Sequence, residues 1–204
     1  MNDGSSDLLT FLTANGRGAS ATLAPMALAI TRSSEASRDT YTLQSEGTAL
    51  WQIDVDWGEH AHVPFREQLV WESAGVAVLG GGAAVYFLDL ATGAVRSRLD
   101  LPCRFGHLAL DPGEQHLRGE QLYVMGWTDI AAVAPSLEVR WWLRAVAVDG
   151  IVFREASGPL VGFGVEMDPP GGWFDIEVDA RTGRELARTA AFTPGYRGIY
   201  GNRP

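Results

Sequence analysis

The chain has 204 residues, 46% of them hydrophobic and 20% charged, which places it in the globular class and excludes wholesale disorder. Sixteen basic against twenty-five acidic residues leave a formal charge of -9, which disfavours nucleic acid, whose phosphates require clustered Lys and Arg, and suits a basic partner. No apolar run approaches the ~20 residues of a membrane span, and the single Cys103 excludes an internal disulfide.

The first seven residues lack the basic start and apolar middle of a signal peptide, so a cytoplasmic location is expected, in keeping with the lone thiol. Ser6 can cap a short helix over 7–14, with Leu8, Leu9, Phe11 and Leu12 at helical spacing and Asn15-Gly16 as a stop. Residues 16–20 read as a linker.

From residue 21 onward the pattern changes to strand and turn, organised by an internal repeat. Segments 41–48, 86–93, 131–138 and 176–183 align at 45-residue steps, putting Leu43, Leu88, Val133 and Val178 in one column and repeating Asp89 and Thr92-Gly93 as Asp179 and Thr182-Gly183. Each copy alternates short apolar runs with Gly-bearing turns, and glycine supplies the positive φ of tight hairpins at no steric cost. Repeats two to four have about four strands each, whereas a leading strand of the first is not evident. The expected fold is all-β, a single domain over 1–204 made of four ~45-residue antiparallel repeats, in which the four column residues bury one face of each unit. The tail from 193, with its glycines and prolines, is expected to lie extended.

The period, the strand count and the turns at 87–95 and 177–185 resemble blades of β-propellers, most closely the quinoprotein-like and tryptophan-aspartate repeat families. That resemblance implies a small or partial propeller and names no activity. Quinoprotein blades place a tryptophan soon after the Thr-Gly, a position that Trp51 and Trp141 or Trp142 could fill, while repeats two and four carry arginines and Leu186 there. Four copies could form a closed ring, an open arc, or half of a ring completed by a second copy through open edge strands.

Several constellations could carry chemistry. His60, His62 and Glu67 stand in the arrangement His-x-His-x4-Glu, which resembles the first metal motif of the cupins; Pro64 interrupts it and no downstream histidine motif completes the set. His107, Asp111 and His116 surround a Pro-Gly turn, and Cys103 lies four residues before His107. Glycines 80–82 follow a strand as in a dinucleotide fold, but the next residues continue as strand, so no helix N-terminus is available for a pyrophosphate. Asp54 and Asp56 have calcium-loop spacing without the remaining ligands.

No cofactor is expected, and the chain reads as a non-enzymatic protein-binding molecule. Among its seven tryptophans, Trp57, Trp127 and Trp173 adjoin turns that the repeat brings to one end, where exposed aromatics would anchor a partner. Asp54, Asp56, Asp168 and Asp175 would surround them and steer a basic protein. A bacterial immunity protein neutralising a basic toxin is one role of this kind; the alternative is a cupin-like metal-dependent enzyme or small-molecule binder.

Overall fold

The computed structural model describes residues 28–35, 38–57, 64–114, 118–168 and 172–191; the expected helix over 7–14 and the tail from 193 lie outside them. Four antiparallel sheets follow one another along the chain, each a simple meander. The first has three strands, β1 (Leu28–Glu35), β2 (Arg38–Ser45) and β3 (Thr48–Asp56). The second holds β4 (Arg66–Trp71), β5 (Val76–Gly81), β6 (Ala84–Asp89) and β7 (Val95–Asp100). The third is β8 (Phe105–Asp111), β9 (Gln121–Gly126), β10 (Ile130–Val133) and β11 (Val139–Leu143). The fourth is β12 (Ile151–Ser157), β13 (Leu160–Asp168), β14 (Gly172–Asp179) and β15 (Glu185–Ala190).

The leading strands β4, β8 and β12 touch one another in chain order, which makes them the inner edge of the assembly. β1 meets β4 as β5 meets β8 and as β9 meets β12. It is therefore the second strand of its blade, and the described residues contain no inner strand for the first blade, in line with the missing leading strand in the sequence.

Three apolar cores join successive sheets. Tyr41 and Leu43 pack on Leu79 and Leu88 between the first and second, Val78 and Phe87 on Phe105 and Val133 between the second and third, and Tyr123 and Ile130 on Phe163 and Val178 between the third and fourth. A closed ring of four would need a fourth core between the last sheet and the first. Among the described residues there is none, and the described sheets form an arc, as in a small or partial propeller.

A β-bulge recurs at one place in every blade and sets the true structural register. Leu43 pairs with Trp51, Phe87 with Ser97, Ala132 with Trp141 and Glu177 with Ala187, and the ladder shifts immediately after each. The four column residues are all fully buried, in equivalent strands β2, β6, β10 and β14. The first copy is nevertheless displaced by one position from the sequence alignment. Leu43 matches Phe87 and faces the following blade, whereas Leu88, Val133 and Val178 face the preceding one. A one-residue slip exchanges the faces of a strand, and the tighter Glu46-Gly47 hairpin of the first blade produces that slip.

The Asp-x-x-Thr-Gly turns connect blades as well as strands. Asp89 Oδ1 accepts hydrogen bonds from the Ala91 and Thr92 N–H groups and from the Thr92 hydroxyl, and Asp179 Oδ1 accepts from Arg181 and Thr182 N–H. Gly93 and Gly183 have φ values of 71° and 72°. Trp51 lies on Gly93 and donates Nε1 to the Leu90 carbonyl at 2.9 Å, and Trp141 lies on Gly183 and donates to the Ala180 carbonyl at 2.9 Å. A Cβ on either glycine would fall within 3 Å of the indole, so the glycine serves close approach as well as backbone conformation. Trp51 and Trp141 thus each clamp their blade to the next.

Candidate functional site

Strand register decides which surfaces are open to a partner. Toward the following blade, the third strand of blade two presents Val85 and Phe87, that of blade three Ile130 and Ala132, and that of blade four Asp175 and Glu177. The first four are buried in inter-blade cores; the two acids are exposed. On the adjacent strand, Val78 of blade two has Gly162 as its counterpart in blade four. Phe105 of the next blade covers Gly80 in blade two, whereas the corresponding Gly164 in blade four is covered by Arg154 of its own sheet, which donates Nε to Asp175 at 3.0 Å. At the other end of the arc, β2 turns Thr40, Thr42 and Gln44 away from the second blade, and Thr40 donates its hydroxyl to Asp54 at 2.7 Å. Both end faces of the described sheets are thus polar, as capping repeats require.

Trp57, Trp127 and Trp173 do stand at one end of the blades, because antiparallel alternation puts the close of β3 and β9 and the start of β14 on the same side. Their environments differ. Trp57 is 6% exposed, donates Nε1 to Asp39 at 2.8 Å, and lies under the Arg66 guanidinium 4.8 Å from its ring. Asp39 also accepts from Arg66 Nε at 3.2 Å and from Ser34 at 2.6 Å, and together with burial it pushes the Tyr41 hydroxyl well above the ordinary phenol range, burial being the larger cause. Trp173 is 4% exposed and packs beneath Gly150. An indole with no free face cannot anchor a partner, so Trp57 is a joint between the first two blades and Trp173 a buried packing residue of the last, and neither is an exposed anchor. Trp127 keeps a half-exposed ring, with the Arg104 guanidinium 4.9 Å from its centroid. Asp54, Asp56, Asp168 and Asp175 are all exposed.

The metal-like set is divided. His60, His62 and His116 lie outside the described residues. Glu67, on the inner strand of blade two, accepts the Leu108 N–H through Oε2 and bonds His107 Nδ1 through Oε1, both at 2.6 Å. Its two oxygens therefore tie one inner strand to the next. Asp111, at the far end of β8 from His107, is committed to Arg118 at 2.7 Å, and Arg118 continues to Glu114 and to the Gly158 carbonyl of blade four. Cys103 presses its sulfur against Gly126, and His107 is held by Glu67, so the thiol and the imidazole do not form a nucleophilic pair. Among the described residues no three His, Cys, Asp or Glu side chains gather as a metal-binding group.

The residues that sequence reasoning missed are Arg104 and Arg144. Glu177 was visible in the strict alternation of β14, where polar residues stand at every second position, but its meaning needed the register of the buried counterparts in other blades.

No protein-family model matches the chain, and no curated protein sequence does. Solved structures match its fold. One is BamB from Moraxella catarrhalis, at 16% identity and a TM-score of 0.50, covering 81% of this chain and 49% of that one. A second is the dihydro-heme d1 dehydrogenase NirN in complex with DHE, at 12% identity and a TM-score of 0.53, covering 80% of this chain and 35% of that one. The Neurospora crassa Pan2 WD40 domain aligns at 10% identity with a TM-score of 0.49, over 81% of this chain and 49% of that one. The chain resembles β-propeller proteins at the level of blades and spans half or less of the length of these matches. No helix among the described residues is long and apolar enough to cross a membrane.

Proposed function

We propose that this chain is a non-enzymatic protein-binding molecule that works in the cytoplasm and takes a basic protein as its partner. The observation that carries this reading is the acidic open face of the last blade: Asp175 and Glu177 stand exposed in the register that blades two and three use for buried apolar residues. A flat sheet face that keeps carboxylates in solvent attracts a positively charged surface and speeds encounter with it. Trp127 and Asp168, near the same end as Asp175, extend the surface toward blade three. Among roles for such a molecule, an immunity protein that covers the active surface of a basic toxin fits the acidic balance.

The test begins with capture of the partner from the source cell and continues with titration of the purified pair. Asp175→Asn and Glu177→Gln should slow association and flatten its dependence on salt, and Trp127→Ala should cost ~2 kcal/mol of binding with the fold intact. An affinity unchanged in the double acid variant would remove the blade-four face from the interaction. Catalytic turnover by the isolated chain would replace the binding reading altogether.

A further inference from the structure

Three loops at the Trp127 end of blade three form one hydrogen-bonded platform. The Trp127 N–H donates to the Arg104 carbonyl at 2.9 Å, Val146 N–H to the Thr128 carbonyl at 2.9 Å, and Ala145 N–H to Asp129 Oδ1 at 2.5 Å. The platform carries two stacked cation–aromatic pairs, Arg104 over Trp127 and Arg144 over Trp142, each with the guanidinium 4.9 Å from the ring centroid. Both arginines are exposed and both indoles half-exposed, and Val148, 52% exposed, is on the third loop.

Of the four arginines stacked on rings among the described residues, Arg66 and Arg98 also hold a carboxylate and Arg104 and Arg144 do not. In a chain of net charge -9, Arg66, Arg98, Arg118, Arg154 and Arg188 each have a carboxylate within ion-pair distance. Among the described residues Arg104 and Arg144 have none. Stacking holds each guanidinium plane against a ring while leaving its N–H edge free, an arrangement suited to a bidentate carboxylate. Ring-backed arginine is also among the residue types that concentrate binding energy at interfaces.

We propose that this platform is a docking surface for a short acidic peptide segment, with its carboxylates on Arg104 and Arg144 and an apolar side chain against Trp127 and Val148. The surface is of opposite charge to the blade-four face, and the two share only Trp127. Two guanidiniums in an acidic molecule are too few to neutralise a polyphosphate backbone, so a peptide is favoured over a nucleic acid.

The probe is a panel of fluorescein-labelled twelve-residue peptides with two or three Asp or Glu beside one Leu or Phe, each matched by a version with Lys in place of the acids, read by anisotropy against the full chain. Acidic members should bind and their Lys counterparts should not. Arg104→Gln with Arg144→Gln should weaken binding ~10-fold or more, and Trp127→Leu should weaken it with both charges retained. Arg104→Lys should fall between, because it keeps charge and loses the planar edge. Asp175→Asn and Glu177→Gln should leave peptide binding intact, which separates this surface from the one proposed above. Thermal melts and far-UV circular dichroism of each variant report folding; if the double glutamine variant is unfolded, Arg104→Lys and Arg144→Lys carry the same comparison. Equal binding of acidic and Lys peptides, unchanged affinity in folded arginine variants, binding by single-stranded DNA but by no peptide, or no peptide bound at 1 mM would each overturn the proposal.

Discussion

Blades two and four are built on the same bulged meander, yet one is buried on both faces and the other on one. In β6, Val85, Phe87 and Leu88 are all withdrawn from water; in β14, Trp173, Ile176 and Val178 are buried while Asp175 and Glu177 are exposed. Backbone pairing is the same, so the difference comes from whether a neighbour follows. A strand between two sheets must be apolar on both sides, and a strand at the end of the arc needs polarity on its outer side to remain soluble. β2, at the opposite end, alternates in the same way.

The sharpest way to break this comparison is to exchange the chemistry of the two blades. Phe87→Glu puts an unpaired carboxylate into the core between the second and third sheets and should cost ~4 kcal/mol or more, enough to unfold the chain or move its urea midpoint to the edge of observation. The reverse change, Glu177→Phe, should leave the midpoint nearly in place and reveal itself as self-association in sedimentation. Equal effects from the two would show that blade position does not set tolerance.

The tryptophan clamps give a second contrast. Trp141→Ala removes an indole that holds blade three to the turn of blade four, and ~3–5 kcal/mol of stability should go with it. Leu186→Ala removes a side chain that is 50% exposed on the last blade and should change stability by less than about 0.5 kcal/mol. Between these lies Arg118→Ala: it strands the buried Asp111 carboxylate and frees the Gly158 carbonyl, and should cost ~3 kcal/mol in chemical denaturation. An Arg118→Met, Asp111→Leu pair should recover much of that loss, because the apolar pair leaves no buried charge.

The smallest expected effect distinguishes the turns by pH. The Thr92 hydroxyl and the Thr92 and Ala91 N–H groups hold the Asp89 carboxyl below the ordinary aspartate range, and the Thr182 N–H is the leading cause of the same shift at Asp179. A carboxyl lowered in the folded state stabilises the fold above its unfolded value and ceases to do so as pH falls through its folded value. Urea midpoints should therefore be flat near neutrality and decline on acidification through and below the ordinary aspartate range. Thr92→Val should shrink the Asp89 part of that decline, while Thr182→Val should do less because backbone donors lead at Asp179. An acid response identical in both variants and the parent would detach it from these turns.

The four units, their antiparallel strands and most of the turns that close them are set by local rules in the sequence: hydrophobic alternation recurs at 45-residue steps, and the Asp-x-x-Thr-Gly turn with its glycine at positive φ closes the second and fourth copies. Even the solvated ends of the arc are legible in the alternation of β2 and β14. Tertiary structure alone decided which aromatic is buried and which is open. Trp57, Trp127 and Trp173 all adjoin turns, but Asp39 and Arg66, from other strands, enclose the first, Gly150 roofs the third, and only Trp127 meets a side chain, Arg104, that leaves it half in water. It also decided the commitment of Glu67 to His107 and the stacking of Arg104 on Trp127. Both contacts join residues far apart in sequence, where the neighbour is chosen by how strands and blades stack and no pattern within a single strand records it.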